Sequence, residues 1–188
     1  GMPLNAITST RAKAKSRKEI TELGAHELFK NALTAKAFER YTNEDIVVKS
    51  YAMLHMEEPS METKVIRPLM AEMLIEETDK RQLTEIFDRI LEMHKKIEDA
   101  KIAKRLLTRT HMISIVPIVW KSLQEGLSDK QMVEWFVEFF SGKKSATISS
   151  AYNTYAGSGS ARKEAVRNRL EAIEESYNKF FEKLALAG

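Results

Sequence analysis

The residues of this chain best suited to chemistry are cations set beside a glycine-rich turn. Residues 157–163 read Gly-Ser-Gly-Ser-Ala-Arg-Lys, and Arg167 follows Lys163 by one helical turn. Backbone N–H groups at a helix start favour an anion, and Arg162, Lys163 and Arg167 add positive charge. One phosphate of a nucleic-acid backbone could sit there. The competing reading is a capped loop with solvated charges, Arg167 pairing with Glu171 at i,i+4. A second basic segment, residues 11–18, holds Arg11, Lys13, Lys15, Arg17 and Lys18 and no acid. Its lysines and arginines could contact phosphates, since such binding follows the number of cationic contacts. It lacks interleaved aromatics for stacking on single strands, and a solvated helix face is the alternative.

Other chemistries lose their motifs on inspection. A phosphate loop needs GxxxxGK[ST], which residues 157–163 do not match. A dinucleotide fingerprint would need glycine at 162, where Arg162 stands, and a strand before it. There is no GxSxG for a nucleophilic serine. His26, His55, His94 and His111 are scattered, with no HExxH and no pair at helical spacing, so no metal site is expected. Carboxylates cluster at 57–58, 76–77 and 171–175, where a helix would turn them to solvent rather than into one pocket. The chain has no cysteine, which removes disulfides, thiolate metal sites and cysteine nucleophiles. No catalytic residue and no cofactor is expected. An unrecognised helical enzyme would need a pocket where His94 or paired carboxylates converge.

The elements that must carry these residues read as helix almost throughout. The 188 residues include only seven glycines and four prolines, and apolar residues recur at three- and four-residue spacing. Hydrophobic residues make up 43% of the chain, so a substantial core is expected. The 30 basic and 27 acidic side chains leave a net charge of +3, too balanced to argue for nucleic acid by itself. No apolar run reaches the roughly 18–20 residues of a membrane span, and no apolar signal core follows the N-terminus. A cytoplasmic location fits the lack of cysteine. Gly1 before Met2 reads as a tag remnant.

Helices are predicted over about 8–23, ending at Gly24, then 25–33, and then from Thr42 or Asn43 with Ile46, Val47, Tyr51 and Leu54 inward. Pro59-Ser60 precedes one over 61–77, and an amphipathic helix runs from Asp79, paired with Gln82 as a cap, to about 107. Residues 110–125 have strand-like composition, but Pro117 and the absence of a partner favour a buried helix kinked or restarted there. Ser128 and Gln131 form a capping box for a helix that is apolar over most of its circumference, expected at the centre of the core and ending at Gly142. A short helix over 145–154 precedes the last, over 161–186, whose Val166, Leu170, Ile173, Tyr177, Phe180, Phe181 and Leu184 form one docking stripe. The fold class is all-α, a single domain of eight or nine helices. The turn at 157–160 is read as ordered and feeding the last helix.

Residues 158–181, Ser-Gly-Ser, Lys163, Val166, Arg169 and the Phe180-Phe181 pair, resemble the C-terminal end of proteins with a ParB/sulfiredoxin-like nuclease domain followed by a helical region. This domain-of-unknown-function family includes the specificity subunit of GmrSD-type restriction systems. Residues 3–13, with Pro3-Leu4 and Arg11-Ala12 where the family has Arg-x-Ala and with Ser9-Thr10 in place of its acid, and residues 38–54 resemble its earlier helices. The family's Asp-Gly-Gln-Gln-Arg signature is absent, and no Asp-Gly occurs at all. The resemblance therefore implies a non-catalytic helical C-terminal module without the nuclease-like domain. It further implies a role in defence against foreign DNA, with DNA, the nuclease-like domain or a partner subunit as partners. The expected phosphate contacts are Arg162, Lys163, Arg167, Arg11, Lys13 and Lys15. The alternative is a protein–protein interaction or oligomerisation domain without nucleic-acid contact.

Overall fold

The periodic segments fold as helix, in more and shorter pieces than the spacing predicts. The computed structural model describes residues 4–141 and 147–187. Among the described residues there are thirteen helices and no strand, against the eight or nine predicted. Most of the extra helix ends have an identifiable local cause.

The segment predicted as one helix over 8–23 is two, α1 (Leu4–Lys13) and α2 (Arg17–Gly24). The residues between them leave the helix to bond elsewhere. Lys15 N–H donates to Ala71 O at 3.1 Å, and the buried Ser16 Oγ accepts from Ile75 N–H at 2.8 Å. A buried backbone donor needs such a partner, and meeting that need breaks the helix. The short helix expected near 25–33 is α3 (Glu27–Ala32), capped by His26 Nδ1, which accepts from Leu28 N–H at 3.0 Å. A five-residue helix, α4 (Ala35–Glu39), follows unpredicted, capped by Thr34 Oγ1 on Ala37 N–H at 3.3 Å. It is too short to show a period.

The next helix, α5 (Thr42–His55), has Tyr41 as its N-terminal flank rather than Thr42 or Asn43. Asn43 Nδ2 instead donates to Gly24 O at 2.9 Å. A Cβ on Gly24 would lie 3.0 Å from Asn43 Nδ2 and 3.2 Å from Glu44 Cγ, so a larger residue would press on the α5 side chains where α2 approaches them. Ile46, Val47, Val48, Ser50 and Ala52 are fully buried, while Tyr51 and Leu54 are only half-buried. A helix buried on several faces is a core helix. That place, predicted for residues 128–141, belongs to α5.

An extended stretch separates α6 (Thr63–Glu72) from α7 (Glu77–Lys96), so the helix predicted over 61–77 stops early. Asp79 sets the new start: its Oδ2 accepts from Glu76 N–H at 3.0 Å, and Gln82 is not its capping partner. The helix also ends before 107. Asp99 Oδ1 accepts from Lys101 and Ile102 N–H at 2.9 and 3.2 Å and opens α8 (Ala100–Leu106). Residues 110–125 are helical in two pieces, α9 (Arg109–Ser114) and α10 (Val116–Gln124), with Pro117 in the first turn of the second. Proline is tolerated there because its missing N–H would be unpaired anyway.

The predicted capping box opens α11 (Asp129–Phe140): Ser128 Oγ accepts from Gln131 N–H at 3.1 Å, and Gln131 Oε1 from Ser128 N–H at 2.9 Å. Met132, Trp135, Phe136, Phe139 and Phe140 are buried and Val133 and Val137 half-buried, so α11 packs one broad face. The predicted stop at Gly142 and the start of the helix over 145–154 lie outside the described residues. The chain continues with α12 (Thr147–Thr154) and α13 (Lys163–Ala187). Trp135 joins α11 to α13: its Nε1 donates to Ser176 Oγ at 3.1 Å, and its ring meets Tyr177 edge-on at 6.2 Å. Burying rings of this size contributes about 2–3 kcal/mol each. The α13 stripe leaves the core after Phe181, since Leu184 is 40% exposed. Among the described residues no helix is long and apolar enough to cross a membrane.

Candidate anion-binding cleft

The turn at 157–160 is ordered. Ser160 N–H donates to Gly157 O and Arg162 N–H to Gly159 O, both at 3.1 Å, and Gly159 adopts φ +78°, a conformation that suits glycine. Its anchor is Arg169, which is 2% exposed. Arg169 Nη1 donates to the carbonyls of Tyr155 and Ser160, both at 2.7 Å, and Nε donates to Ser114 Oγ at 2.9 Å. The following carbonyl, Ala161 O, accepts from Met61 N–H at 2.8 Å and ties the turn to the segment before α6.

Beside Arg169, Tyr152 OH and His111 Nδ1 lie 2.7 Å apart. Burial pushes the His111 imidazole down to about 4, with Arg105 and Arg169 adding to the shift. Burial likewise pushes the Tyr152 phenol up to about 12. At neutral pH the imidazole is therefore uncharged, and its Nδ1 and the Tyr152 hydroxyl share one hydrogen bond whose donor is set by the imidazole tautomer. This polar cluster is internally paired and serves to hold α9, α12 and α13 together.

The six cations predicted to contact phosphates do not converge on one place. Arg162, Lys163 and Arg167 are exposed at the start of α13. Lys163 pairs with Glu58 at 2.6 Å, and Lys163 and then Arg167 hold that carboxyl below its usual range. Glu171 pairs with neither Arg167 nor another described cation. Lys15 pairs with Glu72 at 2.5 Å, near the opposite end of α6 from Glu58. Arg11 is committed inward: its Nε lies 2.8 and 3.0 Å from the two oxygens of buried Glu44, and its guanidinium stands 4.4 Å over the Tyr41 ring. The bond to Glu44 raises its pKa further. Lys13 and Arg162 are exposed and have no side-chain partner among the described residues.

A different set of cations does converge. A cleft of about 480 Å³ opens between α1, α4, α5, α6 and the start of α9. Ile7, Met61, Ile66 and Met70 supply its apolar lining, and Met61, Ile66 and Met70 are buried. Lys36, Arg40, Lys49, Arg67 and Arg109 line it as cations, against the single carboxylate of Asp45. Lys49 is paired with Asp45 at 2.8 Å, and Arg67 Nε donates to Thr10 Oγ1 at 3.0 Å. Lys36, Arg40 and Arg109 have no side-chain partner among the described residues. With one cation neutralised by Asp45, the lining keeps a formal charge of +4. A concave, low-dielectric surface with that balance attracts anions over a long range.

Local sequence explains how the cleft is built. Thr34 caps α4, which carries Lys36 and ends beside Arg40. Tyr41 then takes φ +56°, ψ +32° and turns the chain into α5, which brings Asp45 and Lys49 to the other wall. A tyrosine in the left-handed region is strained, and the packing must hold it there. Arg11 and Glu44 do so, the guanidinium against the ring and Glu44 fixing the guanidinium. Arg11, predicted as a phosphate contact, is thus a support for the cleft wall.

Among the cleft cations, Arg109 ends the basic run between Lys95 and Arg109. Lys36 on α4 and Arg40 at its C-terminal flank are spaced i,i+4, and Lys49 and Arg67 are single cations on α5 and α6, so no contiguous basic run marks the set. Among the described residues no group of three His, Cys, Asp or Glu side chains could hold a metal ion. Comparison of the chain with protein-family models, curated proteins and solved structures finds no match, so the cleft itself carries the functional argument.

Proposed function

We propose that this chain is a non-catalytic helical module that engages nucleic acid through its phosphate backbone at the cleft. The observation that carries this reading is the surplus of cations there: five line the cleft against one carboxylate, and Lys36, Arg40 and Arg109 have no partner among the described residues. Unpaired cations around a concavity supply the sequence-independent part of nucleic-acid affinity. Within this reading the module would present DNA to a nuclease-like domain or partner subunit, as the C-terminal resemblance implies. The exposed Lys13, Arg162 and Arg167 would add weaker, peripheral attraction.

The test is fluorescence anisotropy with a labelled DNA oligonucleotide across a salt series. The reading predicts binding at low salt that weakens linearly on a log–log plot, with a slope reflecting about three or four neutralised phosphates. No binding at low salt would sink it. A protein-interaction module is the second reading. It has the exposed leucines Leu74, Leu184 and Leu186 in its favour, but single exposed apolar side chains are ordinary on protein surfaces.

A further inference from the structure

The cleft is larger and more apolar than a phosphate group needs. A phosphate would be satisfied by cations and N–H groups at a surface, yet here the cations stand around a cavity of about 480 Å³, within the range of small-molecule sites. Ile7, Met61, Ile66 and Met70 line it, and water filling it would have few polar partners on that side. Tyr41, another lining residue, has the Arg11 guanidinium 4.4 Å over its ring, a contact that fixes the ring's place at the cleft wall. An aromatic edge, an apolar lining and surrounding cations together match the three parts of one nucleotide: its base, sugar and phosphate.

Resting on the nucleic-acid reading above, we infer that the cleft takes one unpaired nucleotide, its base against Tyr41 and the apolar lining and its phosphates on Lys36, Arg40 and Arg109. A base stacked and paired within a duplex cannot enter such a cavity without being turned out of the stack. The chain therefore selects single-stranded over double-stranded nucleic acid. Tyr41 and the methionines supply this preference, while the cations supply affinity that single strands and duplexes share.

The experiment uses the full chain and three labelled DNA ligands of equal length: a single strand, the same sequence as a duplex, and an abasic single strand. Anisotropy at low salt is expected to show the ordinary single strand binding about tenfold or more tightly than either of the others, the scale of one stacked base. Tyr41→Gly keeps the left-handed backbone without strain and removes the ring. It should bring the ordinary strand down to the abasic one while its melting temperature holds. Equal affinity for the abasic strand, or tighter binding of the duplex, would overturn this inference and leave the phosphate reading standing. Failure of all three ligands to bind would overturn both. Should Tyr41→Gly fail to fold, the abasic comparison on the unaltered chain still decides.

Discussion

Arg169 and Arg40 show two opposite uses of a guanidinium in one small protein. Arg169 is 2% exposed and gives its protons to two carbonyls and a serine hydroxyl. Arg40 is exposed, lines a cleft with four other cations, and has no partner among the described residues. Taking a charge out of water is costly unless polar groups surround it, so the burial of Arg169 implies that the fold was built around its acceptors. A cation left without an acceptor contributes little to folding and is available to a ligand. On the proposed function, the two regions separate stability from recognition.

The comparison breaks first if Arg169 proves dispensable. Arg169→Ala removes the donor from Tyr155 O, Ser160 O and Ser114 Oγ at once. The expected cost is about 3 kcal/mol, a fall in Tm of roughly 10 °C by thermal melt, and Arg169→Lys should recover only part of it because lysine lacks the planar fork.

Acid attacks the same region through His111. Its folded pKa, about 4, lies below the ordinary value of 6.5, so the unfolded chain takes up this proton first. The contribution is complete above pH 6.5, declines as pH falls toward 4, and is gone below that. Denaturant melts across the interval should show up to about 3 kcal/mol of lost stability that His111→Phe or His111→Gln removes from the pH profile.

The turn offers a smaller test with its own control. Gly159→Ala puts a side chain at φ +78° and should cost about 1 kcal/mol. Gly157→Ala, with nothing within 4 Å of the added Cβ and no positive φ, should change Tm far less. The smallest expected effect on stability lies in the cleft. Lys36→Ala, Arg40→Ala and Arg109→Ala should each stay within about 0.5 kcal/mol of the unaltered chain.

Elements with a strong local signal were legible in the sequence. The Ser128–Gln131 box starts α11, Pro117 restarts the chain at α10, and the turn at 157–160 is ordered ahead of α13. What stayed hidden was set by tertiary contact. The break at residues 14–16 exists because Lys15 N–H bonds to Ala71 O in the last turn of α6 and Ser16 Oγ to Ile75 N–H just after it. The central place of α5 follows from its packing against α2, α4, α6, α7, α9 and α10, which no periodicity encodes. The basic runs at 11–18 and 162–169 are contiguous in sequence, yet Arg11, Lys15 and Lys163 are paired within the fold. Of the cations that converge, Lys36 and Arg40 are neighbours at α4, and they meet Lys49, Arg67 and Arg109 only when α4, α5, α6 and α9 pack.

The most direct measurement sets these two cation groups against each other. Charge reversal at the cleft (Lys36→Glu, Arg40→Glu, Arg109→Glu) is compared with reversal at the start of α13 (Arg162→Glu, Lys163→Glu, Arg167→Glu), by anisotropy with single-stranded DNA at low salt. The account predicts that the cleft variant loses more than a hundredfold in affinity while melting within a few degrees of the unaltered chain, and that the α13 variant loses about tenfold or less. Equal losses, or a greater loss from the α13 variant, would contradict it.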